Sequence, residues 1–274
     1  MKKHRSSRRR SRRKLREKKR RAKRKNIKLL LVIITIISLS TALSYALHST
    51  SSYSKLKTAL IIDGLSVEFN DRKFTNQIVQ YFKTAGYAVE ICNGTEVTVN
   101  TYRRMFNEKY KVIVLRVHSA PGDGIIVPKD AIVFFTAEPT TIKKYFAEQL
   151  MGFVVKARTL TRGESFYAIT PSFIRNAPGK LENAVIIVLS CYGTLGGITV
   201  REFLDKGAMA YIGWDGEVSP EYMDKAGLFL VENLVKHHLS IEEAVRKTME
   251  EIGPDPFFGS YLKYYPPNAG SYKL

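Results

Sequence analysis

The chain has 274 residues, with 44 Lys and Arg against 25 Asp and Glu, a formal net charge of +19. Residues 1–28 hold 18 of the basic residues and one acid (Glu17), so the remainder has 26 basic and 24 acidic residues, a net charge of +2. This excludes a uniformly basic protein that coats nucleic acid; 45% apolar residues exclude a disordered chain, and two cysteines exclude a disulfide-dense scaffold or a multi-cysteine zinc module.

The basic segment 1–28 has almost no apolar residues and no periodic face, which predicts a solvated, disordered tail. Leu29 to Leu47 follows as 19 residues without a charge. As a helix it would span roughly 28 Å, close to the hydrocarbon thickness of a bilayer. Its Ser and Thr hydroxyls can bond back to the helix backbone. The expectation is one transmembrane signal anchor. Ala42-Leu43-Ser44 also fits a cleavage site, but the basic region is far longer than that of an ordinary signal peptide. The Lys/Arg bias orients the tail to the cytoplasm and the rest outside, a single-pass protein of the cell membrane. The tail is expected to adhere to anionic lipid. Nucleic acid is not an expected partner, because no aromatic residue interleaves with the charges to stack on bases.

A Ser/Tyr-rich linker, 48–57, leads to a domain over 58–274. Thr58 to Asp63 reads as a strand ended by Asp63-Gly64. Phe74, Ile78 and Phe82 make one apolar face of a helix over 72–85, stopped by Gly86. Tyr87 to Ile91 and Lys111 to Val117 read as the second and third strands. Residues 119–183 form an insertion, read as a hairpin or flap around one helix, with apolar or strand-like pieces at 131–135, 152–157 and 165–170. Ala184 to Leu189 is a fourth strand, apolar enough to be buried on both faces. A helix over 198–206, a fifth strand over 208–212, and helices opened by Ser219-Pro220 and by the capping box Ser240-Ile-Glu-Glu243 complete the order. Residues 254–274 are expected to wrap the surface. This alternation predicts an α/β fold, a mainly parallel sheet with helices on both faces.

The third strand ends in Val117-His118-Ser119 and the fourth in Leu189-Ser190-Cys191-Tyr192-Gly193. Sites in open parallel sheets form outside the carboxyl ends of the strands. If the third and fourth strands are adjacent they lie about 4.8 Å apart, and His118 and Cys191 would then share one crevice as imidazole base and thiol nucleophile. Taken alone, a Cys closing an apolar strand is most often a small buried residue, and a His there a satisfied polar one. Asn93-Gly94-Thr95 matches a glycosylation sequon. No metal-ligand spacing appears, and Gly193 to Gly197 lacks the Lys-Ser/Thr of a phosphate loop, so no metal or cofactor is expected.

The whole pattern is more specific. Strand-His-Ser, strand-Ser-Cys-Tyr-Gly, and Phe203-Leu-Asp-Lys-Gly-Ala-Met-Ala-Tyr-Ile-Gly-Trp-Asp-Gly216 together resemble the caspase-like cysteine peptidase clan, in its gingipain, legumain and CHAT types. The resemblance covers roughly residues 58–252 and is sharpest over 184–216. It implies a caspase-like three-layer sandwich acting on polypeptides. Cys191 would be the nucleophile and His118 the general base, with the Ser119 and Cys191 backbone N–H groups as oxyanion hole. Trp214 and Asp215 would line a substrate pocket, with Asp63 on the same edge as a hydrogen-bond acceptor or a turn cap. Ser119 stands where the family usually has Gly. The family's strand order, 2-1-3-4, would hold Cys92 and Cys191 three strand steps apart, roughly 14 Å, too far for a disulfide. Two alternatives stand beside the peptidase: a catalytically inactive caspase-like domain serving as an extracytoplasmic binding or assembly module, and a non-hydrolytic doubly wound domain with a ligand at the same edge.

Overall fold

The computed structural model describes residues 34–41, 57–69, 72–141, 143–159 and 163–274. The chain divides into two compact units, Met1–Lys55 and Leu56–Leu274. In the first, residues 34–41 are helical. There the Ser40 and Thr41 hydroxyls donate back to the Ile37 carbonyl at 2.8 and 3.0 Å, which satisfies polar side chains on an apolar helix. The tail 1–28, the rest of the expected anchor and the linker before Lys57 lie outside the described residues. Among the described residues, no helix is long and apolar enough to cross a membrane.

The second unit opens with β1 (Thr58–Asp63), α1 (Arg72–Thr84), β2 (Ala88–Asn93), α2 (Val99–Asn107) and β3 (Val112–Arg116). Next come β4 (Ser119–Pro121), β5 (Ile132–Pro139), α3 (Phe146–Leu150), β6 (Val154–Arg158), β7 (Ser165–Ile169) and α4 (Pro171–Asn176). The chain finishes with β8 (Val185–Leu189), α5 (Ile198–Asp205), β9 (Ala210–Trp214), α6 (Pro220–Val235), α7 (Ile241–Glu251) and β10 (Leu262–Tyr265).

The large sheet has the order β10-β9-β8-β3-β1-β2. Every pairing in it is parallel except that of β10 with β9. Ile61, Val114, Ile187 and Ile212 stand in one register row across four strands. Side chains alternate faces along a strand, so this row and its neighbours two residues away bury against α1, through Phe74, Ile78 and Phe82, and against α6, through Leu230, Val231 and Leu234. The intervening residues Leu60, Ile113, Ile186 and Val188 pack on the other face against Tyr102 and Phe106 of α2 and Phe203 of α5. Three layers result, with the central strands apolar on both faces.

Several boundaries differ from the sequence expectation. α2 was not anticipated; its signal was Thr98, whose hydroxyl accepts from the Thr101 N–H, followed by buried Tyr102, Met105 and Phe106. The insertion is not a hairpin around one helix but a four-stranded antiparallel sheet, β4-β5-β7-β6, with two short helices. One of its faces, with Phe134, Tyr167 and Ile169, extends the core shared with α2. The C-terminal segment does more than wrap: β10 adds an antiparallel edge, its Lys263 and following Pro266 being residues that edges tolerate. β9 starts two residues later than expected, because Gly207 at φ +97 turns the chain before it.

Candidate functional site

Arg116 ends β3 and pairs in register with Leu189, which ends β8. His118 and Cys191 each lie two residues further on, so they stand equally far past the last paired row of two adjacent parallel strands. His118 marks the point where the chain leaves the large sheet for the small one. The Val117 N–H donates to the Leu189 carbonyl at 3.3 Å, and the Phe135 N–H donates to the His118 carbonyl at 2.9 Å. Both sheets therefore fix its backbone.

The His118 side chain is about a third exposed, and its Nε2 lies 3.1 Å from Oε2 of Glu68. A carboxylate only accepts, so Nε2 is the donor in this contact, and in the neutral ring Nδ1 then carries the lone pair. Glu68 follows a 3-10 turn, Gly64–Val67, which Asp63 caps by accepting from the Ser66 N–H at 3.0 Å. Phe69 and Phe135 flank the imidazole at centroid distances of 6.5 and 6.1 Å.

Beyond Cys191 the chain turns sharply. Tyr192 has φ +57, an uncommon left-handed conformation for a bulky residue. Its surroundings enforce it: the Tyr192 N–H donates to the Gly216 carbonyl at 2.7 Å, the Thr194 N–H to the Trp214 carbonyl at 2.9 Å, and the Tyr192 hydroxyl to Glu217 at 2.5 Å. The turn leaves Cys191 half-buried at the edge, its thiol 3.7 Å from the Val218 carbonyl. Burial pushes the thiol up from its ordinary value, and the carboxylates of Glu217 and Asp255 add to the effect. A thiol so placed stays protonated at neutral pH until a base takes its proton. The Ser119 hydroxyl donates to the Cys191 carbonyl and ties the two strand ends together. Among the described residues, no backbone carbonyl accepts from the Cys191 N–H.

His118, Ser119, Cys191, Tyr192 and Glu217 border one open cleft. Within it the sulfur meets Val218 and the imidazole meets Glu68; no direct sulfur–imidazole bond is present among the described residues. The negative charge of Glu217 disfavours the thiolate, so Glu217→Gln should move the pH profile of Cys191 alkylation toward acid. Peptide mapping of iodoacetamide adducts over a pH series would measure this, and an unchanged profile would show that Glu217 does not act on the thiol.

The remaining anticipated residues fall elsewhere. Trp214 has no exposed surface; as the last residue of β9 it points into the core and packs edge-on against Tyr222 at 6.0 Å. It does not line the cleft, because β9 starts and ends two residues later than expected. The Asp215 carboxylate accepts from the Tyr261 N–H at 2.7 Å and pairs with Lys263 at 2.8 Å, which engages it with the C-terminal segment. Asp63 is also fully buried, paired with Arg116 at 2.7 Å, and so acts as a turn cap and ion-pair partner with no surface for substrate. Both cysteines are free, Cys92 on β2 and Cys191 beyond β8, three strand steps away. No group of side chains suited to a metal ion occurs among the described residues.

Glu68, Arg116 and Asp224 were not foreseen as part of the site. Glu68 carries no sequence signal, since it lies in an irregular turn. Arg116 does: a charge inside a strand otherwise buried on both faces must find partners.

The fold and site together define a mixed α/β domain, a parallel-rich sheet flanked by helices with a thiol and an imidazole at its carboxyl edge. No family model and no curated protein matches the chain. Among solved structures, a crystal structure of the Arg-specific cysteine proteinase gingipain R is similar with a TM-score of 0.45 and 14% identity, over 72% of this chain and 44% of that one. The chain thus spans less than half the length of that protein.

Proposed function

We propose that this protein is a membrane-anchored cysteine endopeptidase of caspase-like fold, with Cys191 as nucleophile and His118 as general base. The observation that carries the reading is the shared cleft: the two residues lie level past adjacent strands, and Glu68 occupies Nε2 so that Nδ1 is the basic nitrogen. Cys191 gives its proton to His118 as sulfur attacks the scissile carbonyl, forming the C–S bond and an oxyanion. Collapse of this intermediate breaks the C–N bond, and His118 returns the proton to the leaving amine. Water, deprotonated by His118, then hydrolyses the thioester and restores the thiol. The Ser119 and Cys191 N–H groups serve the oxyanion; removing one such donor typically costs about 100- to 1000-fold. The substrate is a polypeptide lying along the open cleft.

A catalytically inactive binding module is the second reading. It is favoured by the Ser119 hydroxyl held on the Cys191 carbonyl and by a thiol directed at Val218. An electrophilic thiol probe separates the two. Labelling of Cys191 that disappears in His118→Ala supports the peptidase; equal labelling in both, with no cleavage of a peptide library, sinks it.

The anchor reading rests on the uncharged stretch 29–47 and the tail of net charge +17 before it. It puts residues 49–274 outside the cell membrane and the tail on anionic lipid. Protease added to intact cells should digest the domain, whereas protection with the membrane sealed would overturn that orientation.

A further inference from the structure

Arg116 is completely buried at the carboxyl end of β3. Its Nε and Nη2 each donate to Asp224 of α6 at 2.7 Å, and its Nη1 donates to Asp63 at 2.7 Å. Nη2 also reaches the Phe69 carbonyl at 3.2 Å, and the guanidinium lies over the Phe74 ring, 4.9 Å from its centroid. One side chain thus joins five segments: β3, the end of β1, the loop after the Gly64–Val67 turn, α1 and α6.

Fold stability alone gives no reason for this arrangement. The same register row holds Leu189 in the next strand, and well-packed apolar residues commonly replace buried ion pairs without loss. The geometry gives a reason. Phe69, whose carbonyl Arg116 holds, is the neighbour of Glu68, and its ring meets that of His118 edge-on. Asp63, on the other side, accepts from Arg116 and from the Ser66 N–H through the same oxygen, and so sets the turn leading into Glu68. The loop that brings a carboxylate to Nε2 of His118 is therefore fastened at both ends to one guanidinium. Asp224 orients that guanidinium bidentately from a helix outside the cleft. An ammonium at this position would keep the charge but not the planar fork.

We infer that Arg116 and Asp224 are positioning residues for the catalytic imidazole: they act through the 64–69 loop to hold Glu68 on Nε2 of His118, which leaves Nδ1 to take the thiol proton. The inference rests on the peptidase reading for its catalytic consequence, and on the Glu68–His118 contact alone for its structural one.

The test uses the full chain in detergent with Arg116→Lys, Asp224→Asn and Glu68→Gln. Asp224→Asn keeps side-chain shape and one acceptor, so it carries the test where Arg116→Lys does not fold. The His118 Cε1–H resonance, assigned with His118→Ala, should move in Glu68→Gln and move to the same place in the other two variants. Cys191 alkylation at pH 7 should fall with it by about 100-fold, the effect of displacing a catalytic group by an ångström. Combining Asp224→Asn with Glu68→Gln should slow alkylation no further than Glu68→Gln alone. Folded Asp224→Asn protein with the wild-type His118 resonance and alkylation rate would overturn the inference. If Glu68→Gln itself leaves the resonance unmoved, the Glu68–His118 pairing fails first. Absence of peptide cleavage by the wild-type chain would remove the peptidase reading while leaving the resonance test of positioning intact.

Discussion

Cys191→Ala should lower kcat/KM on a cleaved peptide by about 10⁴-fold or more, His118→Ala by a comparable factor, and the double variant by no more than either alone. The non-additivity matters more than the size. Burial and the charges of Glu217 and Asp255 keep the Cys191 thiol protonated, so the sulfur is a weak nucleophile without an imidazole to receive its proton. Removing His118 leaves that thiol in place but inert, and removing Cys191 leaves a base with nothing to activate. Residual activity should reflect the oxyanion donors and substrate binding, which neither change touches. Glu68→Gln should cost less, about 100-fold, because it releases the ring without removing it. Steady-state kinetics on one substrate would measure all four variants. Multiplicative losses in the double variant would mean that the two residues act in separate processes, and the dyad would be abandoned.

The order and direction of the central strands were legible because their chemistry is local. Runs such as Val185 to Leu189, apolar on both faces and closed by turn residues, read the same in sequence and structure. The pair at the sheet edge was legible for a related reason: in a parallel sheet, residues just past neighbouring strand ends converge whatever the loops do. What stayed hidden depends on partners distant in sequence. Trp214 and Asp215 looked like pocket residues because the end of β9 was misplaced by two residues, and a shift of that size decides whether a large side chain meets solvent or core. Lys263 of β10 and Tyr261 just before it, which engage Asp215, lie 46 or more residues along the chain, in a segment that resembles a surface tail. Glu68 belongs to a turn whose shape is set by Arg116 and Asp63 together. The insertion sheet is not legible as a sheet because β6 and β7 are only five residues each, β6 with a short alternating pattern and β7 with a short buried run, too little to fix their pairing before the partner is known.

Arg116→Met should reduce stability at pH 7 by about 3–5 kcal/mol, the usual result of leaving buried carboxylates without their cation. Asp63 and Asp224 would lose their charge-assisted bonds, and Phe74 its cation. The pH dependence gives the cause away. Burial already pushes the Asp63 carboxyl up from its ordinary value, and Arg116 is the chief opposing influence. Without Arg116 the folded-state pKa rises further above that of the unfolded chain. A carboxyl raised in this way stabilises the fold below its unfolded pKa, and that contribution is lost as pH rises through the folded pKa. The gap between variant and wild type, measured by urea titration, should therefore narrow as the pH is lowered from 7 toward 4. A gap that stays constant or widens would place the defect in packing. The combination Asp63→Asn, Arg116→Met and Asp224→Leu removes all three charges and should recover most of the stability at pH 7. It should not recover a fast-reacting Cys191, because nothing in it holds the Phe69 carbonyl, even though the amide oxygen in Asp63→Asn still accepts from the Ser66 N–H. A protein as stable as wild type, slow in its thiol chemistry and displaced in its His118 resonance would show that the buried ion cluster serves the geometry of the cleft.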